Sequence, residues 1–436
     1  MDRRPPMSCQ RVASWRSLRK LLSHAYAPIN SRARALAISG TTPIAESEIL
    51  QHHRQIVDLC AELTRCRSPN PPGDTRVVAD FVGAHLARLG LEVKTIGADR
   101  MKPNLIAAIG QLEGPRIVLC SHMDTFPPPP AASATDAYSG RIDQRRVYGT
   151  GVGDMRCGLA IALFLAGVYK AVERRLRGAL VLAFSSDEES GGENGARILA
   201  TTAPEVVDAD ACIIGDQTHP EEIGCAEKGF CWLELAATAA QTHAAYAPSG
   251  GAVQQLLEAL SIARSLEGFG DPTPPSELGL VASPLALRTT VNVGRLEAGV
   301  APNLTPDRAA AAIDIRLPFG VAVEEIMCEL RVRLRREGSK VFITQICSSD
   351  ATATSPSERV VQSTLAEFRR IGVDRRPSIR VGMSDAHIFR QAGIPTVVLG
   401  PCAHNLASVN EYVEIDEAIS VARVHAGIIE SYVLPA

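Results

Sequence analysis

Apolar positions along the chain repeat with two different periods. Spacings of three and four residues predict helices over Ala45–Thr64 and Arg76–Leu89, the second stopping at Gly90. Short apolar, β-branched runs predict strands at Leu91–Thr95, Leu105–Ile109 and Ile117–Ser121. A helix at Gly158–Arg175, a strand at Ala179–Ser185, a helix at Gly192–Ala200 and a strand at Ala211–Gly215 continue the alternation. Strands that are apolar at consecutive positions belong in a sheet covered by helices on both faces. Near residue 226 the texture changes. Strands are expected at Cys231–Ala237, Thr289–Leu296, Ala309–Arg316 and Lys340–Ile346, with helices at Val253–Glu267 and Val323–Glu337. Two helices among four strands make a small α+β unit. The tail returns to the first texture, with helices at Glu358–Ile371, Asp385–Ala392 and Glu414–Val433 and a strand at Thr396–Leu399. The predicted fold class is therefore α/β, a mixed sheet flanked by helices. Its main domain is drawn from 46–225 and 347–436 and interrupted by a smaller inserted unit at 226–346.

Residues 1–45 stand apart as a basic N-terminal extension. Eight basic side chains and one acid, Asp2, fall within 1–41, with serines between them. Two readings stand: a disordered extension, or an organellar transit peptide. Across all 436 residues, 45 Lys+Arg against 48 Asp+Glu leave a net charge of −3, so no global basic field draws the protein to nucleic acid. The longest apolar run, Leu159–Tyr169, is followed by Lys170, Glu173, Arg174 and Arg175, short of the ~18 residues of a membrane span. The eleven cysteines are odd in number and contain no CxxC pair, which argues against a disulfide framework or a zinc knuckle and for a reducing, cytoplasmic compartment.

Candidate chemistry gathers at strand ends. Ile117–Ser121 runs into His122-Met123-Asp124, and Ala179–Ser186 ends in Asp187-Glu188-Glu189-Ser190-Gly191-Gly192. Ala211–Gly215 ends in Asp216, and a turn, Gly149-Thr150-Gly151-Val152-Gly153, delivers Asp154 before a helix. That turn lacks the GxGxxG spacing of a dinucleotide site. Taken singly, the His is a satisfied polar residue, the glutamates a solvated turn and Asp154 an N-cap. Taken together, four such clusters at the carboxyl edge of one sheet form a nitrogen and oxygen ligand set for a catalytic zinc or manganese ion.

These segments resemble the aminoacylase, acetylornithine deacetylase and succinyl-diaminopimelate desuccinylase family of metal-dependent exopeptidases and amidohydrolases. The matching stretches are Ser121–Pro127, Gly151–Arg156, Ser186–Gly192, Ile214-Gly215-Asp216, Val291–Gly294, Asn303, Asp314-Ile315-Arg316 and Asn410–Val413, in the family's order. The resemblance implies a zinc-exopeptidase-like fold whose inserted lid makes a homodimer or higher homo-oligomer, and one or two divalent ions, zinc or manganese, per subunit. By the same resemblance His122 and Asp216 hold one ion, Asp154 bridges to a second, and Glu189 holds that second ion. Asp124 is then the carboxylate that orients His122, and Glu188 the general base. His243 resembles the histidine that reaches a partner subunit's site to stabilise an oxyanion. Asn303 and Arg316 look like substrate contacts, with Arg316 suited to clamp a carboxylate, and Tyr246 is a candidate ring or leaving-group contact.

The chain departs from that family around one half of the site. Ala407 stands where the last histidine ligand is usual, and His404 is the imidazole nearby that could replace it. Cys157 and His387 stand where Gly and Arg are common, and Cys402 lies in the same loop as His404. The expected activity is hydrolysis of a C–N bond through metal-activated water, by default the amide of a small carboxylate-bearing N-acyl amino acid or peptide-like substrate. Two alternatives stand beside it. One is single-metal hydrolytic deamination of an electron-poor aromatic amine, as in the family's divergent nitroanthranilate aminohydrolase branch. The other is a non-catalytic binding protein with a decayed metal site.

Overall fold

The protein is described by a computed structural model covering residues 44–131, 137–247 and 250–435. The basic extension expected at 1–45 lies outside the described residues, except for Ile44 and Ala45, which open the helix Ile44–Arg65.

A ten-stranded mixed sheet forms the centre. Its spatial order is Lys94–Ile96, Asn104–Gly110, Ala179–Ser185, Arg116–His122, Ala211–Ile214, Thr396–Val398, Glu222–Glu227, Arg376–Arg380 and Val281–Ala282, with Thr352–Ala353 paired to Glu222–Glu227. Ala179–Ser185, Arg116–His122, Ala211–Ile214 and Thr396–Val398 run parallel to one another. Their side chains alternate between two cores. Ile117 and Leu119 join a cluster with the helices Ile44–Arg65, Cys157–Ala171 and Ile415–Val433, while Val118 and Cys120 pack with Ala196–Thr202 and Ala386–Gln391 on the other face. Burial on both faces is why these strands read as continuous apolar runs.

The helix Cys157–Ala171 is apolar all round and buried from Cys157 to Tyr169, the pattern of a core helix. Among the described residues Val152–Ala171 is the one stretch long and apolar enough to cross a membrane, and its most apolar 18-residue window is 94% buried inside the protein. Gly158 brings this helix against the backbone just before Asp216, where an added Cβ would lie 2.0 Å from the Gly215 carbonyl oxygen. Gly158→Ala therefore must push helix and strand apart, and we expect a loss of roughly 1–3 kcal/mol in chemical denaturation. Wild-type stability in that variant would contradict the packing.

A second, four-stranded antiparallel sheet runs in the order Thr290–Ala298, Arg308–Leu317, Gly229–Thr238 and Phe342–Ser349. Leu233, Leu235, Ile313 and Ile315 pack one face onto Leu256 of the helix Ala252–Arg264 and Ile326 and Leu330 of the helix Val323–Arg336. Several elements differ from expectation. Val281–Ala282, within the stretch assigned to the inserted unit, pairs with Arg376–Arg380 at the edge of the large sheet. Phe342–Ser349 runs three residues past Ile346. The helix expected from Gly192 begins at Ala196, because Gly191 and Gly192 adopt positive φ of 105° and 76° and turn the chain first.

Candidate metal centre

Three adjacent parallel strands stop at one edge of the large sheet, and each passes on a functional side chain. His122 ends Arg116–His122 in register with Ser185, the last residue of Ala179–Ser185. Glu188 and Glu189 follow three and four residues later in a short 3₁₀ turn. Ile214 is in register with Cys120, so Asp216, two residues on, reaches the level of His122. Ligands gather at such carboxyl edges in open α/β sheets. Asp154 arrives from the side, on the turn in which Gly149 and Gly151 take φ of 143° and 76°. Glu411 fixes that turn: its carboxylate accepts the amide of Gly151 at 3.2 Å and of Gly153 at 3.1 Å.

The result is two overlapping groups of donors. One ligand atom from each of His122, Asp154 and Asp216 lies within 4.8 Å of the others, and the same holds for His122, Glu188 and Glu189. His122 Nε2 is 2.9 Å from Asp154 Oδ1, and Nδ1 donates to the main-chain carbonyl of Asp124 at 3.0 Å. Beneath them the buried Arg156 donates to the Met123 carbonyl at 2.9 Å, holding the His122–Asp124 turn down.

Asp124 does more than face the imidazole. Its carboxylate is 3.6 Å from His122 Nδ1, beyond a good hydrogen bond. It accepts instead the amides of Glu188 at 3.2 Å and Glu189 at 3.1 Å, and the Asn70 side chain at 2.9 Å. Asp124 thus ties the His122 strand end to the paired glutamates. Glu189 Oε1 in turn accepts the amide of Phe126 at 2.8 Å.

The electrostatics fit a divalent cation. Burial pushes the Glu188 carboxyl well above its ordinary range, with the charges of Glu189 and Asp154 adding to the effect and His122 opposing it. Burial, then Asp154, raises Glu189 in the same way. Burial and the Asp154 charge raise Asp216 to about 6, against the pull of Arg380. Burial opposes charging of His122, yet the carboxylates of Asp124 and Asp154 beside it carry its pKa well up. Crowded carboxylates that retain protons, joined by an imidazole and containing no thiolate, are the hard-to-borderline donor set that zinc or manganese takes. Such a cation displaces protons from these groups. Its affinity is therefore expected to fall as pH drops through 6, by roughly tenfold per pH unit for each proton displaced. Competition titrations with a chelator between pH 5.5 and pH 7.5 measure this, and a flat profile would contradict it.

The remaining predicted residues sit elsewhere. His404 is in neither donor group; its ring stacks on Tyr412 at 4.5 Å, and its backbone pairs with Tyr412. The loop it leads takes positive φ at Asn405, Ala407 and Asn410. Arg316 is half-buried on its strand, with Nε donating to Asp314 at 2.8 Å and its guanidinium 5.8 Å from the Phe230 ring centre. His243 and Asn303 lie side by side on the small unit, where Ala244 donates to the Asn303 carbonyl at 2.9 Å. Both are exposed, as is Tyr246 at 82%. None of these three belongs to either donor group within the chain. Sequence reasoning missed Arg380, which donates to Asp216 Oδ2 at 2.7 Å. It also left Glu411 without a role, although its motif was noticed.

Residues 118–431 match the family model described as peptidase family M20/M25/M40. A succinyl-diaminopimelate desuccinylase of Paracoccus denitrificans is 29% identical over 392 residues, 86% of this chain and 97% of that protein. A probable carboxypeptidase of Aspergillus terreus is 33% identical over 291 residues, 64% of this chain and 63% of that protein. The crystal structure of a tripeptidase from Staphylococcus aureus shares the fold with a TM-score of 0.65 at 21% identity, over 87% of this chain and 98% of that one. The chain belongs to peptidase family M20/M25/M40 and is a hydrolase acting on C–N bonds.

Proposed function

We propose that this hydrolase cleaves the amide bond of a small, carboxylate-bearing N-acyl amino acid or peptide, with Glu188 as general base. The observation that carries the reading is the convergence of His122, Asp154 and Asp216 beside Glu188 and Glu189 at one sheet edge. His122, Asp154 and Asp216 would hold one divalent cation, with Asp154 and Glu189 available to a second. A cation bound there supplies charge neutralisation and lowers the pKa of water near it. Glu188 is held by its own amide to Asp124, which aims its carboxylate at the donor groups. It takes a proton from the attacking water and returns it to the departing nitrogen, a role that suits a buried carboxyl with a raised pKa. Arg316 presents a planar fork to the substrate carboxylate. His243, with Asn303 and Tyr246 nearby, is assigned to the site of a neighbouring subunit. Their exposure within one chain supports that assignment, and it requires a dimer through the smaller unit.

The test is metal quantification of the purified protein together with a panel of N-acyl amino acids, dipeptides and aminobenzoates. Amide hydrolysis with bound zinc or manganese is the expected result. Turnover of the aminobenzoates alone would replace this reading with aromatic deamination, and absence of any turnover would refute it.

A further inference from the structure

Behind Asp216 lies a chain of buried charges that no step above uses. Arg380, at the end of the strand Arg376–Arg380, is 8% exposed at its side chain. Its Nη2 donates to Asp216 Oδ2 at 2.7 Å and to the Gln217 carbonyl at 2.9 Å. Its Nη1 donates to Glu227 Oε1 at 2.7 Å. Glu227 is fully buried and has two further partners. Ser384 donates to it at 2.5 Å, and Arg390 reaches its other oxygen at 3.3 Å. Arg390 is anchored in turn on the Gly224 and Thr396 carbonyls at 3.2 and 3.3 Å. The charges alternate in sign from Asp216 to Arg390, so each carboxylate in the series is met by a guanidinium.

The backbone makes room for it. A Cβ on Gly224 would lie 2.5 Å from Arg380 Cδ and 2.9 Å from Val398 Cβ. Gly224 has no positive φ to require glycine, so close approach is the reason for it. A guanidinium bonded to two carboxylates at once, with its stem passing over a bare backbone, is set in direction as well as in charge.

We infer that Arg380 is a positioning residue for the cation site: bridged to Glu227, it holds Oδ2 of Asp216 while the Gln217 amide holds Oδ1 at 2.6 Å, and so fixes the direction in which the carboxylate meets His122 and Asp154. The inference rests on the proposed metal reading and goes beyond it, since it assigns a role to the strand Arg376–Arg380 and to the charge chain it carries. Glu227 also ends the strand Glu222–Glu227 two residues before Gly229 opens the first strand of the four-stranded sheet. The orientation of Asp216 is thus tied to the junction between the two sheets.

Metal-stripped wild type, R380M, R380K and G224A are titrated with zinc against a competing fluorescent chelator, and thermal unfolding of each metal-stripped protein reports folding. Both Arg380 variants should bind zinc roughly 10–100-fold more weakly, the usual consequence of removing a partner that orients a ligand. R380K separates direction from charge, because one ammonium cannot bond two carboxylates in the fixed fork geometry. G224A keeps the Arg380 charge, displaces its stem and should weaken zinc in the same direction. A folded R380M or R380K with wild-type zinc affinity overturns the inference. If R380M does not fold, wild-type affinity in R380K or G224A overturns it equally. Failure of wild type itself to bind zinc would instead bring down the metal reading, and this inference with it.

Discussion

Glu188→Gln is expected to abolish most turnover while leaving the protein folded and loaded with metal. The substitution keeps the size of the side chain and the hydrogen bond that the backbone N–H of residue 188 donates to Asp124. It removes only the capacity to take and return a proton. General acid–base groups contribute roughly 10²–10⁴-fold to rate, so kcat should fall by about that factor with little change in bound zinc. Replacing a carboxyl whose charged form is opposed first by burial and then by Glu189 and Asp154 also removes that cost. The thermal midpoint of the metal-free variant should therefore equal or exceed that of wild type. A non-catalytic binding protein would show no turnover in either form, and an unchanged kcat in the variant would remove Glu188 from the mechanism.

Asp154→Asn acts on the centre itself. Asp154 is bonded to His122 at 2.9 Å and stands within 4.8 Å of Asp216. Its carboxylate is the donor that links the sheet-edge residues to the Gly149–Gly153 turn. An amide there loses the negative charge that a cation needs, and it can present an N–H toward the cation. Loss of a direct ligand should exceed the roughly 10–100-fold that loss of an outer partner costs. Stoichiometric zinc should be absent after gel filtration, and activity should be at background. Zinc retained at wild-type stoichiometry in this variant would place the ion elsewhere.

Much of this centre was legible before the fold was known, for a physical reason. Strands buried on both faces have no polar positions along their length, so a His or carboxylate group appears only where the strand emerges. His122, Glu188, Glu189 and Asp216 are all such emergence points. Asp154 was legible through the glycines before it, two of which need positive φ. What was not legible depends on contacts between distant segments. The strand Arg376–Arg380 begins and ends in arginine and contains Pro377, so it has neither alternation nor an apolar run to announce it. Arg380 could therefore not be placed beside Asp216. Asp124 was read as orienting His122; that its carboxylate also receives the amides of the paired glutamates was not legible, because the contact is set by the turn after Ser185. The loop from His404 to Glu411 carries three non-glycine residues with positive φ. No local pattern of residues demands that path, and it turns the His404 ring onto Tyr412.

The account stands on His122, Asp154 and Asp216 sharing a divalent cation. Anomalous diffraction from crystals of active protein, recorded on both sides of the absorption edge of its metal, locates that ion directly. The strongest anomalous peak should lie within bonding distance of the His122 imidazole and of the Asp154 and Asp216 carboxylates. A fully active crystal whose metal peak lies away from all three side chains, or that has no metal peak, would contradict the account.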